Sequence, residues 1–382
     1  MRVGRGRDGR TAAGRGALAG LWLIASLGIA LPAASAPKRP AAPSVRVSGS
    51  LAFELIYDDN VIHYSDADLE EFATVSAPGK FSIRQAGDHI VRPMLTLNAE
   101  TKALTGQKLE TQLRLTSWWY LADGVKNNES INLRFKHPGF GRDNFQFTLY
   151  HAPQQYLRNY RDRPPTTPPS DPMEYTTFSI TSTSASLGYW RGISKKTEGR
   201  LELRRSWRYY NQAFMENDNW EWRFGGYLGY RLAGPLKVTA EYFYSDVRAR
   251  AADEAGETAE TSDEGDASYE RDHYRLALDF YLKKGFLRVK HFAVEGQYQA
   301  FYFTSRKPLA EDPFHVGRKD QVYQFEFTWD TPPVLGPISL EGGYRYAERN
   351  SSAPGGASGG EGIDEDKDYN DNRGWVGMEV PF

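Results

Sequence analysis

Arg200, Arg204 and Arg208 recur at even spacing with Glu202 among them, and Arg223 and Arg231 follow in the next alternating stretch. Residues of even spacing share one face of an extended chain, so two such stretches side by side would set guanidinium groups in a ladder. Guanidinium is a permanent, planar donor that grips carboxylate or phosphate through paired hydrogen bonds, and rings of it favour anions in a pore. Glu202, Glu221 and Glu241 share these faces, and their carboxylates would neutralise the ladder by cross-strand pairing. Arg134, Lys136, Glu326, Glu341 and Arg345 occupy the polar faces of other alternating stretches and complete the candidate set for solute contact. None of these residues is given a catalytic role.

The acidic stretches offer a second chemistry. Asp364, Asp366, Asp368, Asn370 and Asn372 alternate, and hard oxygen ligands at alternate positions are what calcium loops use. The glycine at the sixth position and the distal bidentate Glu of such loops are missing, which makes a solvated loop the expectation and leaves metal and cofactor unassigned. The cluster from Asp253 to Asp272 reads the same way. The absence of Cys excludes disulfides, thiolate metal sites and cysteine nucleophiles, and there are only 7 His. Formal charge is −2; the first 36 residues contribute +4, so the remainder carries −6 and a basic nucleic-acid binder is disfavoured.

Such side chains need strands to hold them. About fourteen period-two runs are predicted between Val45 and Phe382. Tyr323, Phe325, Phe327 and Trp329 alternate with Gln324, Glu326, Thr328 and Asp330. Trp220, Trp222, Phe224 and Leu228 likewise oppose Glu221, Arg223 and Arg231. One run is expected to stop at Ala152, before a long connection from Pro153 to Glu174, and a bulge is expected near Lys290, where Leu287 and Val289 fall out of phase with Phe292 and Val294. Short connections alternate with long ones. Two long segments, Ala251 to Ala267 and Ser351 to Gly362, are low in complexity and expected to be mobile. In the first long connection, Ser65 to Phe72 reads as a short helix capped by Ser65, with Asp68 at the capping-box position, folding over the mouth or into the bore.

Mean hydropathy is −0.61, yet aromatics make up 14% of the chain. A closed barrel accommodates both, since only alternate residues touch lipid and aromatic girdles mark its rims. The fold expected is all-β: a transmembrane antiparallel β-barrel of about fourteen strands with short periplasmic turns and long extracellular loops. Ahead of it, Arg2, Arg5, Arg7, Arg10 and Arg15 precede the apolar run Ala17 to Leu31 and the small-residue site Ala34-Ser35-Ala36. The expected organisation is a cleaved signal peptide over 1–36, a short segment over 37–44 and the barrel over 45–382.

The last strand, Asn372 to Phe382, puts Val376, Met378, Val380 and Phe382 on one side and ends on Phe, and it resembles the carboxy-terminal strand of bacterial outer-membrane β-barrel proteins. The resemblance implies an outer-membrane location among lipid and lipopolysaccharide, and insertion by the barrel-assembly machinery through the strand ending in Phe382. Divalent ions would bridge the acidic loops to lipopolysaccharide. Tyr57-Asp58-Asp59-Asn60 is similar to a tetrapeptide after the first strand of several outer-membrane barrels, with no chemistry attached. A charged, wet bore implies a porin-like conduit for small hydrophilic solutes, with anion preference. Two other classes stand beside it: a non-conducting structural or adhesive barrel acting through its loops, and an outer-membrane enzyme. The His-x-Ser of barrel lipid A esterases is lacking, and Asp272 and His273, being adjacent, would face opposite sides of a strand, away from a pairing with Asp58-Asp59. Pro37 to Ser44 is too short to fold as the plug of a siderophore transporter.

Overall fold

The computed structural model describes residues 45–74, 79–102, 107–139, 143–162, 174–253, 256–260, 262, 264–286, 288–354 and 367–382. The expected leader and the segment 37–44 lie outside them, as do Leu287, Asp364 and Asp366. The first half holds β1 (Arg46–Asp58), β2 (Asp88–Lys102), β3 (Lys108–Tyr120), β4 (Asn128–Pro138), β5 (Asp143–Asp162), β6 (Glu174–Gly192) and β7 (Thr197–Tyr210). The second holds β8 (Asn219–Ala233), β9 (Leu236–Ala249), β10 (Tyr269–Phe286), β11 (Val289–Phe303), β12 (Lys319–Asp330), β13 (Ser339–Ser352) and β14 (Tyr369–Pro381). Each strand pairs antiparallel with its neighbours in the chain, and β14 closes the cylinder on β1 from Ser50↔Pro381 to Asp58↔Arg373.

Phe382 carries the seam one step further. Its amide donates to Gly49 O (2.8 Å) and its carbonyl accepts from Gly49 N (2.9 Å). A Cβ on Gly49 would stand 2.7 Å from the Phe382 ring, so glycine there leaves room for the terminal aromatic.

Burial alternates as the sequence patterning requires. Along β1, Leu51, Phe53, Leu55 and Tyr57 are exposed, whereas Ala52, Glu54, Ile56 and Asp58 are buried. The outer wall continues through Ile131, Trp222, Phe224, Leu228, Phe325, Phe327 and Met378. Exposed aromatics gather at both rims. Tyr57, Trp119, Tyr209, Trp220 and Tyr302 lie next to the long-loop ends of their strands, and Phe145, Tyr230 and Phe382 lie near the short-turn ends. A closed cylinder with an apolar belt, aromatic rims and a charged inner face pairs its strand backbone within itself, which is how strands cross a bilayer; among the described residues no helix is long and apolar enough to do so. The protein is a closed β-barrel of fourteen antiparallel strands with the two faces of a membrane-spanning one.

Two differences from the sequence reading fall at irregular pairing. β5 does not stop at Ala152. It passes Pro153 through register shifts between Ala152 and Gln155 and between Tyr156 and Arg158, with Gln154 at a left-handed φ of 39°. A bulge releases the pairing that proline's missing N–H would otherwise break. The irregularity expected near Lys290 lies across from it, on β10 between Tyr281 and Phe286.

The two faces predict opposite outcomes for one kind of substitution. Phe325→Arg, on the lipid side at the middle of β12, should destabilise the barrel in bilayers by about 2–4 kcal/mol. Gln324→Arg, one residue away on the inner side, should cost much less. Equilibrium urea unfolding in lipid vesicles measures both, and equal losses would contradict this assignment of faces.

Candidate functional site

Inside the barrel, the predicted ladder is largely paired. On β7, Glu202 is 4% exposed and binds Arg200 and Arg204 (2.9 Å to the latter). Arg208 reaches Glu221 across to β8 (2.5 Å), and Glu221 also binds Arg271 of β10 (2.6 Å). Arg275 joins Glu241 (2.6 Å) and Glu295. Arg345 holds Asp371 (2.7 Å), and Glu326 faces Glu295 and Arg345 in the strand register. A carboxylate buried between two guanidinium groups offsets its desolvation by such contacts. Arg223 instead meets a ring: its Nη2 lies 3.0 Å from His273 Nδ1 and its guanidinium 4.0 Å from the Phe243 centroid. Arg231 departs from the ladder altogether. It is exposed at the short-turn end, where its amide donates to Lys196 O.

The open space lies on the other side of the lumen. A cavity of about 780 Å³ is bounded by β1 to β7 and by Glu341, Arg373 and Glu379 from β13 and β14. A second, of about 620 Å³, continues toward the short-turn end, where Lys136 lies 3.8 Å from Glu110. Arg134 borders both and donates to Gln112. Sequence reading missed Glu54, Arg92, Arg114, Arg271, Arg275 and Arg373, although each falls on the polar phase of its strand; that phase was the available signal.

Over the outer end lies the connection 59–87. Its helix α1 (Asp66–Thr74) starts as expected, with the Ser65 hydroxyl accepting from Asp68 N (3.1 Å). The Asp68 carboxylate turns elsewhere, to Lys80 (2.7 Å) and Arg158 (3.5 Å). Val61, Ile62, Tyr64 and Ile83 bury themselves against Ile56, Ile90 and Tyr156, with Trp118, Tyr120 and Trp375 packed around them. Ile56, Ile90, Tyr156, Trp118, Tyr120 and Trp375 stand on strands whose inner face is elsewhere charged, and the loop that covers them explains why.

Polar contacts tie this lid to three sides of the rim. Arg158 Nη2 donates to Ile62 O (3.2 Å) and His63 O (2.8 Å), and Asn159 Nδ2 donates to Gly79 O (2.8 Å), so the part of β5 beyond Pro153 is what grips the loop. Lys126, in the β3–β4 turn, donates to Val61 O (2.5 Å). The His63 ring stacks on Tyr369 at 4.5 Å. The tetrapeptide Tyr57-Asp58-Asp59-Asn60 gains a structural reading. Tyr57 faces lipid, Asp58 is buried on Arg373 (2.8 Å to Nε), and Asp59 accepts from Asn372 N (2.7 Å). Asn60 closes the turn by accepting from Tyr64 N and donating to Tyr64 O (each 2.8 Å).

The acidic loops are less solvated than their composition suggests. Ala251, Ala252 and Asp266 are buried, with Asp266 at 1% exposure accepting from Ser268 N (3.0 Å) and Arg306 N (3.1 Å). The solvated loop expected here is corrected at Asp266, whose carboxylate is taken up by a turn amide and by the β11–β12 loop. Ser351, at the start of the other low-complexity segment, donates its amide to Asp368 (2.5 Å), and most of that segment lies outside the described residues. Asn370 and Asn372 serve the lid, and among the described residues no His, Cys, Asp or Glu group is arranged to hold a metal ion. Asp272 and His273 do face opposite ways: Asp272 accepts from Tyr242 on the outer wall (2.8 Å), while His273 points inward at Gln297 (3.1 Å). Ser305 and His315 each bond a different oxygen of Asp312 (2.7 Å both), sharing a carboxylate and not a proton with each other.

No family model and no curated protein matches the sequence. Solved structures of similar fold include the outer membrane channel DcaP of Acinetobacter baumannii, at 11% identity and TM-score 0.43, covering 91% of this chain and 100% of that one. An anion-selective porin from Comamonas acidovorans aligns at 11% identity and TM-score 0.41 over 89% of this chain and 100% of its own. The outer membrane protein opdK from Pseudomonas aeruginosa aligns at 10% identity and TM-score 0.37 over 88% and 99%. Likeness at these scores says nothing about solute or activity.

Proposed function

We propose that this barrel is a gated conduit for small hydrophilic solutes, with a preference for anions, and that its chemistry is passage without catalysis. The observation that carries this reading is open, charged space beneath the lid: the cavity of about 780 Å³ is bordered by Arg92, Arg114, Arg134, Arg200, Arg204 and Arg373 against Glu54, Glu341 and Glu379. Charges left in a lumen rather than replaced by apolar packing call for water beside them. Insertion by the barrel-assembly machinery through Phe382, and contact of the outer loops with lipopolysaccharide, belong to the same reading.

In planar bilayers the protein should give discrete conductance steps, and a KCl gradient should give a reversal potential of anion-selective sign. Arg158→Ala, which removes the lid's contacts with Ile62, His63 and Asp68, should lengthen open events while leaving the barrel folded. Silence in both wild type and variant would favour the second reading, a non-conducting barrel acting through its loops, which the density of lid contacts supports.

Lys126 makes the lid sensitive to alkali. Burial pushes its ammonium down to about 8, assisted by Arg373 and Arg158 and opposed by Asp58 and Asp123. A lid that swings away returns the amine to water, where it holds its proton up to about pH 10.4. The docked state therefore binds fewer protons between those two values, and docking strengthens as pH rises through that window. Open probability should fall between pH 7.5 and pH 10, and Lys126→Met should flatten this dependence; a rise with pH would contradict it.

A further inference from the structure

The wall of the larger cavity carries more positive charge than its own carboxylates offset. Among the described residues, neither Arg114 nor Arg134 forms an ion pair with Asp or Glu, whereas Arg200 and Arg204 divide one carboxylate, Glu202. Arg204 stands directly across from Arg223 in the register, a like-charge pairing that sheets ordinarily avoid. Of the arginines lining this cavity, Arg92, Arg200 and Arg204 have an Nε buried without a hydrogen-bond partner. Each such donor costs free energy until an acceptor arrives.

The residues between these arginines are of one chemical kind. Strand pairing runs Arg134↔Thr148↔Ser186↔Arg204 across β4 to β7, so two hydroxyl side chains fill the positions separating the two guanidinium groups. Asn132, opposite Arg114 on the next row, adds an amide. Neighbouring strands lie about 4.8 Å apart, which sets Arg134 and Arg204 at roughly 14 Å along the wall with short polar side chains between them. Resting on the conduit reading, we infer that this wall binds a small polyhydroxylated oxyanion of the sugar-acid type, its charged group on the guanidinium groups and its hydroxyls on Thr148, Ser186 and Asn132.

Three features set that class apart from its rivals. A simple inorganic anion leaves the hydroxyls and amide unused. An aromatic or aliphatic acid would strand them against carbon. A polyanion would meet Glu341 and Glu379 on the facing wall of the same cavity, where like charges repel. The volume, about 780 Å³, lies within the range of about 300–1,000 Å³ usual for small-molecule pockets.

The full barrel, folded in detergent, is titrated with gluconate, glucose 6-phosphate, glucose and acetate, and binding is read by calorimetry. Gluconate should bind saturably and at least about tenfold more tightly than glucose or acetate, a difference of one charge-assisted hydrogen-bonded contact. Glucose 6-phosphate, whose phosphate carries close to two negative charges, should bind less tightly than gluconate, and the reverse order would overturn the sugar-acid assignment. Arg134→Gln should weaken gluconate about tenfold, and Thr148→Val should weaken gluconate but not acetate, in variants that keep the heat-modifiable mobility of a folded barrel. Gluconate binding no tighter than acetate or glucose, or unchanged in folded Arg134→Gln, would overturn the inference. Because binding is read without current, a barrel that conducts but ignores gluconate removes the site alone, whereas one that binds gluconate and never conducts keeps the site and removes the conduit.

Discussion

Hydrocarbon offers a peptide group nothing to bond, and this one constraint organises the molecule. It demands closure of β14 on β1, which the chain completes with Phe382 and Gly49 at its seam. Closure fixes register, and register fixes the side of the wall on which every residue falls. Phe325 is outside because Glu326 is inside, and neither can move without the other. The charged lumen is thus a consequence of the greasy exterior: in a strand of period two, residues barred from lipid have only the bore to occupy.

Once charges are confined there, their arrangement divides the lumen. Across β7 to β11, carboxylates sit between guanidinium groups, as with Glu221 between Arg208 and Arg271, and the side chains fill the space they neutralise. Along β2 to β5 short side chains, Thr96, Thr116, Ser130, Asn132 and Thr148, stand among the longer Arg92, Arg114 and Arg134, and the cavity opens beside them. Pairing and openness are complementary outcomes of the same face. Long side chains of both signs pair along the wall, and short neutral ones leave room.

Much of this was legible in the sequence because period two is a strong and redundant signal. Strand number, faces, the alternation of short and long connections and the cap at Ser65 all follow from local patterns that the fold leaves unaltered. The misreadings have a common origin. Pro153 looked like an end, since the compensating bulge depends on pairing with β6, which no local window contains. The loop at Ala251 to Ala267 looked solvated because acidity is a local property, whereas one of the two amides that bind Asp266 comes from Arg306, far along the chain. Which charges pair was equally hidden. Arg204 and Glu202 are close in sequence, but Arg271 and Glu221 meet only through two intervening register steps, from β8 to β9 and from β9 to β10.

The lid shows how a mistaken boundary and an overlooked phase violation were one fact. Ile56 follows Glu54 and precedes Asp58 on the inward face, and Ile90 precedes Arg92 in the same way; each is an apolar residue where the bore is otherwise charged. Such residues at the outer end of an inward face require a cover, since leaving them in water would forfeit their burial. The connection 59–87 supplies that cover, and it stays in place because β5 runs on beyond Pro153 far enough to present Tyr156, Arg158 and Asn159. Without the bulge, the arginine that holds the loop would lie on a connection with no fixed position. The bulge at Pro153 and the isoleucines at the rim are therefore parts of one device, and the outer mouth is governed by a strand that extends past its proline.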